Sequence, residues 1–130
     1  MHILDAADFL KIARKIMESR YEEEEAAMRT AIGRAYYSSF LKCKQCAIRQ
    51  GQVQLLQYDR DDFPKKGEIH AAVRDSLHNV GLGHVAGELL DLFERRVVAD
   101  YKLQETVDRR DAKDAIELST RIARNIQPYE

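Results

Sequence analysis

The longest helical pattern in the chain is centred on Arg29-Thr30-Ala31-Ile32-Gly33-Arg34-Ala35-Tyr36-Tyr37-Ser38-Ser39-Phe40. We predict one helix from about Glu23 to Arg49 that ends before Gly51. Its main apolar stripe comprises Met28, Ala31, Ile32, Ala35, Tyr36, Phe40, Cys43 and Ala47. A second seam comprises Thr30, Tyr37, Leu41 and Ile48. A helix that is apolar on two sides must pack against two neighbours. It is therefore the central helix of a bundle, or it also packs against a second copy of the chain in a dimer.

The rest of the chain has the length and composition of one helical domain spanning residues 1–130. Hydrophobic residues make up 45% and charged residues 33%, which excludes a disordered chain and a membrane protein. The formal net charge of -1 argues against a strongly electrostatic nucleic-acid binder. The N-terminus lacks the pattern of a signal peptide, so we expect a cytoplasmic protein with no membrane partner.

Four further helices follow from capping residues and apolar spacing. Asp5 is a candidate N-cap for a first helix to about Ser19, and Asp108 for a fifth. Between them, helices are predicted at about 68–79 and 84–101, separated by the glycines at 81 and 83. The segment from Gly51 to Gly67 reads as a loop, part of which can extend the second helix. The predicted fold is an all-α, up-and-down bundle of four to five helices.

The cysteines do not point to a metal or a redox site. Cys43 and Cys46 match C-x-x-C, but a structural zinc needs four ligands and no second pair supplies the rest. A redox pair would need a thioredoxin-like βαβ context, which an all-helical chain lacks. We therefore predict that both thiols are buried filler, and that the protein uses no metal and no cofactor.

Two segments carry polar groups that suit a site. In the first, Tyr36 and Tyr37 bring two phenols to the middle of the bundle, and Arg34 lies within one turn of both. The second is Arg96-Val97-Val98-Ala99-Asp100-Tyr101 in the predicted fourth helix. Asp100 is a possible acceptor for Arg34, which predicts a buried charge cluster between the two helices. Such a cluster fixes packing register as readily as it binds a ligand.

The same two segments resemble the signatures of the HEPN superfamily, in particular its small stand-alone prokaryotic members. The family's R-A-Y-Y-x-x-F signature is matched by residues 34–40, and its R-x-x-A-D-Y signature by residues 96–101. A family stretch in which a His opens the preceding helix resembles Glu68-Ile69-His70-Ala71-Ala72-Val73, with Ile in place of Thr. The resemblance covers nearly the whole chain, in the expected order and separation.

The resemblance implies a homodimeric bundle with a cleft at the dimer interface. Many HEPN proteins are metal-independent endoribonucleases, often toxins partnered with a small nucleotidyltransferase antitoxin. Their signature is an Arg, which holds the scissile phosphate, followed after four to six residues by a proton-carrying His. Here the residue after a gap of four from Arg96 is Tyr101, and no His follows at the family spacing. His70 can take that role only if the fold brings it near Arg96.

Two functional interpretations therefore stay open. The first is a dimeric, non-catalytic or weakly active module of a toxin–antitoxin or defence system that associates with RNA or a nucleotide. The alternative is a metal-independent endoribonuclease toxin neutralised by a nucleotidyltransferase antitoxin. The candidate catalytic residues are Arg96, Asp100 and Tyr101, and the candidate binding residues are Arg34, Tyr36, Tyr37 and His70. We expect Arg34 to lie with the catalytic candidates, Arg96 to be reachable from a cleft, and His70 to be a candidate for its rim.

Overall fold

A computed structural model describes residues 4–62 and 66–130. Across these residues the chain forms five α-helices and three short 3-10 segments, and no strand. The α-helices are α1 (Ala6–Glu18), α2 (Glu24–Arg49), α3 (Ile69–Asn79), α4 (Gly83–Tyr101) and α5 (Arg109–Ile126). The 3-10 segments span Val53–Asp59, Lys66–Glu68 and Gln127–Tyr129. The all-α class and the helical bundle are confirmed, with each α-helix close to its predicted bounds.

The two predicted N-caps begin their helices as the sequence indicates. Asp5 and Asp8 form a capping box at the start of α1, in which the Asp8 carboxylate accepts a bond from the Asp5 amide at 2.9 Å. Asp108 and Asp111 form the same arrangement at α5, with both bonds at 2.9–3.0 Å. These boxes satisfy amides that a helix start otherwise leaves without partners.

α2 is the central helix, since it packs against each of the other four. All eight members of its main apolar stripe are buried. Between α2 and α5 the contact is polar as well, because the hydroxyls of Ser39 and Ser119 lie 2.6 Å apart and Ser119 also donates to the Ala35 carbonyl. Small hydroxyl side chains let the two helices approach closely while their polar atoms stay bonded.

The second seam of α2 is partly covered within the chain. Phe9 of α1 packs edge-on against Tyr37, with ring centroids 4.8 Å apart, yet Tyr37 stays exposed, as does Thr30. Leu41 and Ile48 pack partly buried against the core. Large apolar side chains are also exposed at and beyond the end of α4, where Tyr101 and Leu103 lie.

α2 ends at Arg49, two residues before Gly51, which adopts a φ of 102°. A positive φ is open to glycine and breaks the helical path. Residues from Val53 onwards therefore form a separate 3-10 segment, so the suggested extension of α2 is wrong. Of the predicted loop, residues 63–65 lie outside the described part of the chain.

Cys43 and Cys46 face the core and are free thiols, as predicted for buried filler. Burial raises the pKa of both thiols above the ordinary value. Within residues 4–62 and 66–130, no three His, Cys, Asp or Glu side chains are grouped to hold a metal ion. In the same residues, no helix is both long and apolar enough to cross a membrane.

Candidate functional site

A pocket of about 330 Å³ lies where α2, α3 and α4 meet. Six of the seven predicted site residues line it. The lining comprises Thr30, Gly33, Arg34, Tyr36, Tyr37, His70, Arg96 and Asp100. The α2 members recur at three- and four-residue steps, which places them on one face of that helix. The fold thus brings both sequence signatures and the α3 histidine to one place.

Arg96 is at the centre of the polar contacts in this pocket. Its Nε donates to Asp100 Oδ2 at 2.8 Å, one helical turn further along α4. Its Nη2 lies 3.4 Å from the Tyr101 hydroxyl, and its guanidinium carbon lies 5.3 Å from the centroid of the Tyr101 ring. On the other side, the same carbon lies 5.9 Å from the Tyr36 ring centroid. Two aromatic rings therefore flank the guanidinium, a geometry that favours a cation.

The predicted buried pairing of Arg34 with Asp100 is wrong. The Asp100 carboxylate pairs with Arg96 of its own helix, and the side chains of Arg96 and Asp100 are 24% and 35% exposed. Arg34 is exposed and, among the described residues, makes no hydrogen bond or ion pair. A neighbour four residues away on the same helix is within reach without any tertiary constraint, so it is the acceptor that Arg96 takes. Within the described part of the chain, Arg34 thus lines the pocket as a cation without a partner.

His70 enters the pocket from α3 and is held by aromatic side chains. Its Nδ1 lies 2.6 Å from the Tyr36 hydroxyl, and its ring centroid lies 4.8 Å from that of Phe40 and 5.3 Å from that of Phe93. Burial, helped by the charges of Arg96 and Arg74, lowers the pKa of His70 below its ordinary value of 6.5. The imidazole is therefore neutral at pH 7, and its Nε2 has no hydrogen-bond partner among the described residues.

The two tyrosines of the first signature differ in their surroundings. Tyr36 is 2% exposed, and burial raises its pKa, so the phenol stays protonated beside His70. Tyr37 is 40% exposed although it lines the pocket. Phe9 meets it edge-on, and Phe40 lies nearly parallel to it at 6.3 Å between centroids. Tyr37 therefore presents a fixed, partly open aromatic ring to the pocket.

Sequence reasoning did not identify Arg74, which supports the site from α3. Its guanidinium carbon lies 5.1 Å from the Phe93 ring centroid, and its Nη1 is buried without a hydrogen-bond partner among the described residues. Its charge also contributes to the lowered pKa of His70 and offsets part of the rise that burial causes in the pKa of Tyr36. The sequence spacing could have identified Arg74, since it follows His70 by four residues and therefore lies on the same face of the helix.

Arg29 is a second residue whose role the sequence did not reveal. It is 9% exposed, and its Nη1 donates to the carbonyls of Val98 and Ala99 at 3.0 Å each. Its Nη2 bonds the Glu105 carbonyl and pairs with Glu25 at 3.1 Å. These acceptors include carbonyls that the end of a helix leaves open, so Arg29 caps α4 from α2. The cap holds the segment that carries Asp100 and Tyr101 against α2.

The charges around the pocket favour an anion. Arg34 and Arg96 line it with Asp100 as the single carboxylate among the lining residues, and Arg74 adds a third positive charge behind His70. The chain as a whole carries a net charge of -1, so this excess is local. Guanidinium groups match the geometry of a phosphate, and a neutral imidazole can accept a proton beside it.

Comparison of the chain with protein-family models, with curated proteins and with solved structures gave no match.

Proposed function

We propose that this pocket binds the phosphate group of RNA or of a nucleotide, and that the protein is a HEPN-type helical module built around that site. The observation that carries the proposal is the exposed Arg34 guanidinium, which has no partner among the described residues and lies at the same pocket as Arg96. An arginine without a protein partner retains all of its donors for a ligand. Arg96 donates one hydrogen bond to Asp100, and its other N–H groups can donate to a phosphate oxygen.

The balance of charge at the pocket indicates that the protein contacts only a small part of a nucleic-acid ligand. Two arginines beside one carboxylate suit one or two phosphate groups, whereas the net charge of -1 offers no extended basic track. For single-stranded RNA, counterion release then predicts a shallow salt dependence, with log Kobs falling against log salt at a slope of about -0.7 to -1.4.

The test is binding of a short, fluorescently labelled single-stranded RNA, followed by polarisation. Arg34→Ala is expected to weaken binding at least tenfold. Arg49→Ala is the matched control, because it removes the same charge from an exposed position of α2, roughly 22 Å further along the helix axis. Equal losses in both variants, or a salt slope several times steeper, would contradict phosphate binding in this pocket.

A second candidate function is metal-independent RNA cleavage, and it is favoured by one specific observation. His70 lines the pocket together with Arg96, although the sequence places it 26 positions before that arginine. In such a reaction the neutral imidazole takes the proton of a ribose 2′-hydroxyl as its oxygen attacks the neighbouring phosphorus. The bond to the 5′-oxygen breaks and leaves a 2′,3′-cyclic phosphate, the departing 5′-oxygen takes a proton from water, and Arg96 stabilises the charge on the phosphoryl oxygens.

Cleavage is tested with purified protein and single-stranded RNA in the presence of EDTA. The endoribonuclease alternative predicts product that His70→Ala abolishes and that His84→Ala, an exposed control on α4, preserves. Binding without any cleavage assigns the protein to the non-catalytic interpretation.

We also propose, from the resemblance to HEPN proteins, a homodimer and a nucleotidyltransferase-type antitoxin as partner in a toxin–antitoxin or defence system. The exposed Tyr101, whose ring lies beside Arg96, and the exposed Leu103 two residues further along support a surface for a second copy. A specific interface of this kind buries about 1,200 Å² or more in total. Sedimentation at micromolar concentration is expected to show a dimer, and a monomer would contradict this part of the proposal. A small nucleotidyltransferase gene beside this one would support the partner.

A further inference from the structure

We propose that the pocket accommodates a whole nucleotide, with the phosphate at Arg34 and Arg96 and the base packed against the exposed part of the Tyr37 ring. This inference rests on the proposed phosphate site and adds the class of ligand: nucleoside monophosphates, free or as units of a single strand. It makes Tyr37 the residue that separates a nucleotide from any other phosphate.

Tyr37 has the properties of a stacking platform. Large aromatic side chains near a core are normally covered, yet Tyr37 keeps 40% of its surface exposed while it lines the pocket. Phe9 at 4.8 Å and Phe40 at 6.3 Å restrict its ring from two directions. A ring already fixed in place loses little conformational freedom when a base packs on it.

The spacing of the residues fits the parts of one nucleotide. Arg34 and Tyr37 are three positions apart on α2, so their side chains project as neighbours on one face, with Cβ atoms about 5–6 Å apart. A phosphate held by Arg34 therefore leaves its sugar and base next to the Tyr37 ring. The pocket volume of about 330 Å³ lies at the lower end of the range of small-molecule sites, ~300–1,000 Å³.

Tyr101 is the other exposed ring beside the arginines, and it is the weaker platform. It is 66% exposed, but Arg96 already covers its ring at 5.3 Å and approaches its hydroxyl at 3.4 Å. It also lies outside the set of residues that line the pocket. Tyr101 thus orients Arg96, whereas Tyr37 offers a ring face to the ligand.

The composition of the pocket predicts weak discrimination between bases. Among the described residues its lining contains no Asn or Gln, the side chains that pair with adenine edges, and its two arginines, which can pair with guanine, are assigned to the phosphate. Stacking uses the ring face that every base has, so it tolerates sequence. AMP and GMP are expected to bind within a few-fold of each other, and a pyrimidine nucleotide more weakly because its ring is smaller.

The experiment compares the dissociation constants of 5′-AMP, ribose 5-phosphate and inorganic phosphate by isothermal titration calorimetry. The wild-type protein is expected to bind AMP about 5- to 100-fold more tightly than ribose 5-phosphate, the gain that one stacked base provides. Tyr37→Phe keeps this preference because the ring remains. Tyr37→Leu removes it, and a far-UV circular dichroism spectrum that matches the wild type's shows that the variant is folded.

The outcomes separate this inference from the proposed phosphate site. Equal affinities of the wild type for AMP and ribose 5-phosphate overturn the stacking inference and leave phosphate binding in place. Retention of the AMP preference in Tyr37→Leu also overturns it. If none of the three probes binds, the phosphate site fails and the stacking inference fails with it. Because the wild-type comparison alone can refute the inference, the test does not depend on the stability of any variant.

Discussion

Replacing Arg29 by methionine removes the cap on α4 while keeping most of the apolar stem of the side chain. Arg29 is 9% exposed and reaches the Val98 and Ala99 carbonyls at 3.0 Å, as well as that of Glu105. It also pairs with Glu25 at 3.1 Å. The variant therefore leaves the carbonyls of Ala99 and Glu105 without this donor, in a place that is only partly open to water, whereas the Val98 carbonyl keeps its bond from the Lys102 amide.

The expected loss of stability follows from these bonds. A hydrogen bond to a charged group contributes about 1.5–3 kcal/mol, and the contributions of one guanidinium are not additive. Allowing for water that replaces part of the cap, we expect Arg29→Met to lower the free energy of unfolding by about 3 kcal/mol. That is a large part of the ~5–15 kcal/mol that holds a domain together.

Urea denaturation followed by circular dichroism measures this loss, with Arg95→Met as the matched control. Arg95 is also an arginine with a carboxylate partner, Asp91 at 3.0 Å, but both side chains are well exposed, at 39% and 54%. An exposed pair of this kind contributes about 0.3–0.5 kcal/mol. A loss below about 1 kcal/mol for Arg29→Met, or one equal to the control, would refute the capping role.

Three further results are expected. Arg96→Ala is expected to abolish RNA binding. It lowers the free energy of unfolding by less than about 1 kcal/mol, because the ion pair of Arg96 with Asp100 is partly exposed. A loss of several kcal/mol in urea denaturation would mean that Arg96 has a structural role instead. The ring of His70 titrates by NMR with a midpoint below 6.5, since the folded state disfavours its charged form. The unfolded chain then binds this proton more readily, so the contribution of His70 to stability is complete above pH 6.5 and falls as the pH decreases; a midpoint at or above 6.5 would contradict the burial argument. Cys43 and Cys46 react with a thiol reagent at pH 8 only after unfolding, because both are buried and burial raises the pKa of each thiol; rapid labelling of the native protein would disprove this.

Much of the fold follows from local patterns in the sequence. The stripe of α2 and the caps at Asp5 and Asp108 depend on spacing within a few residues, and both were predicted with bounds close to the structure. The second seam was harder, because whether Tyr37 is covered depends on α1, whose position is tertiary information. Phe9 occupies a place that periodicity alone left open for a second copy of the chain.

The candidate site divides in the same way. The two signatures and His70 do converge on one pocket. Arg96 takes the carboxylate four residues along its own helix, a pair that the i, i+4 spacing allows, and Arg34 has no partner among the described residues. The spacing alone did not exclude a pair between Arg34 and Asp100, because the approach of α2 to α4 is tertiary information. The capping role of Arg29 could not be predicted, because its partners are backbone carbonyls, and every residue type has one.

The most direct test of the phosphate site is a ¹H–¹⁵N NMR titration with 5′-AMP that observes arginine Nε–Hε groups and the histidine ring nitrogens. We expect saturable shifts for Arg34, Arg96 and His70, with the exposed Arg49 and Arg124 unchanged. These shifts would share one dissociation constant, since the three residues line one pocket. Saturable binding that moves Arg49 or Arg124 but leaves Arg34 and Arg96 in place, or no saturable shift at all, would contradict the account.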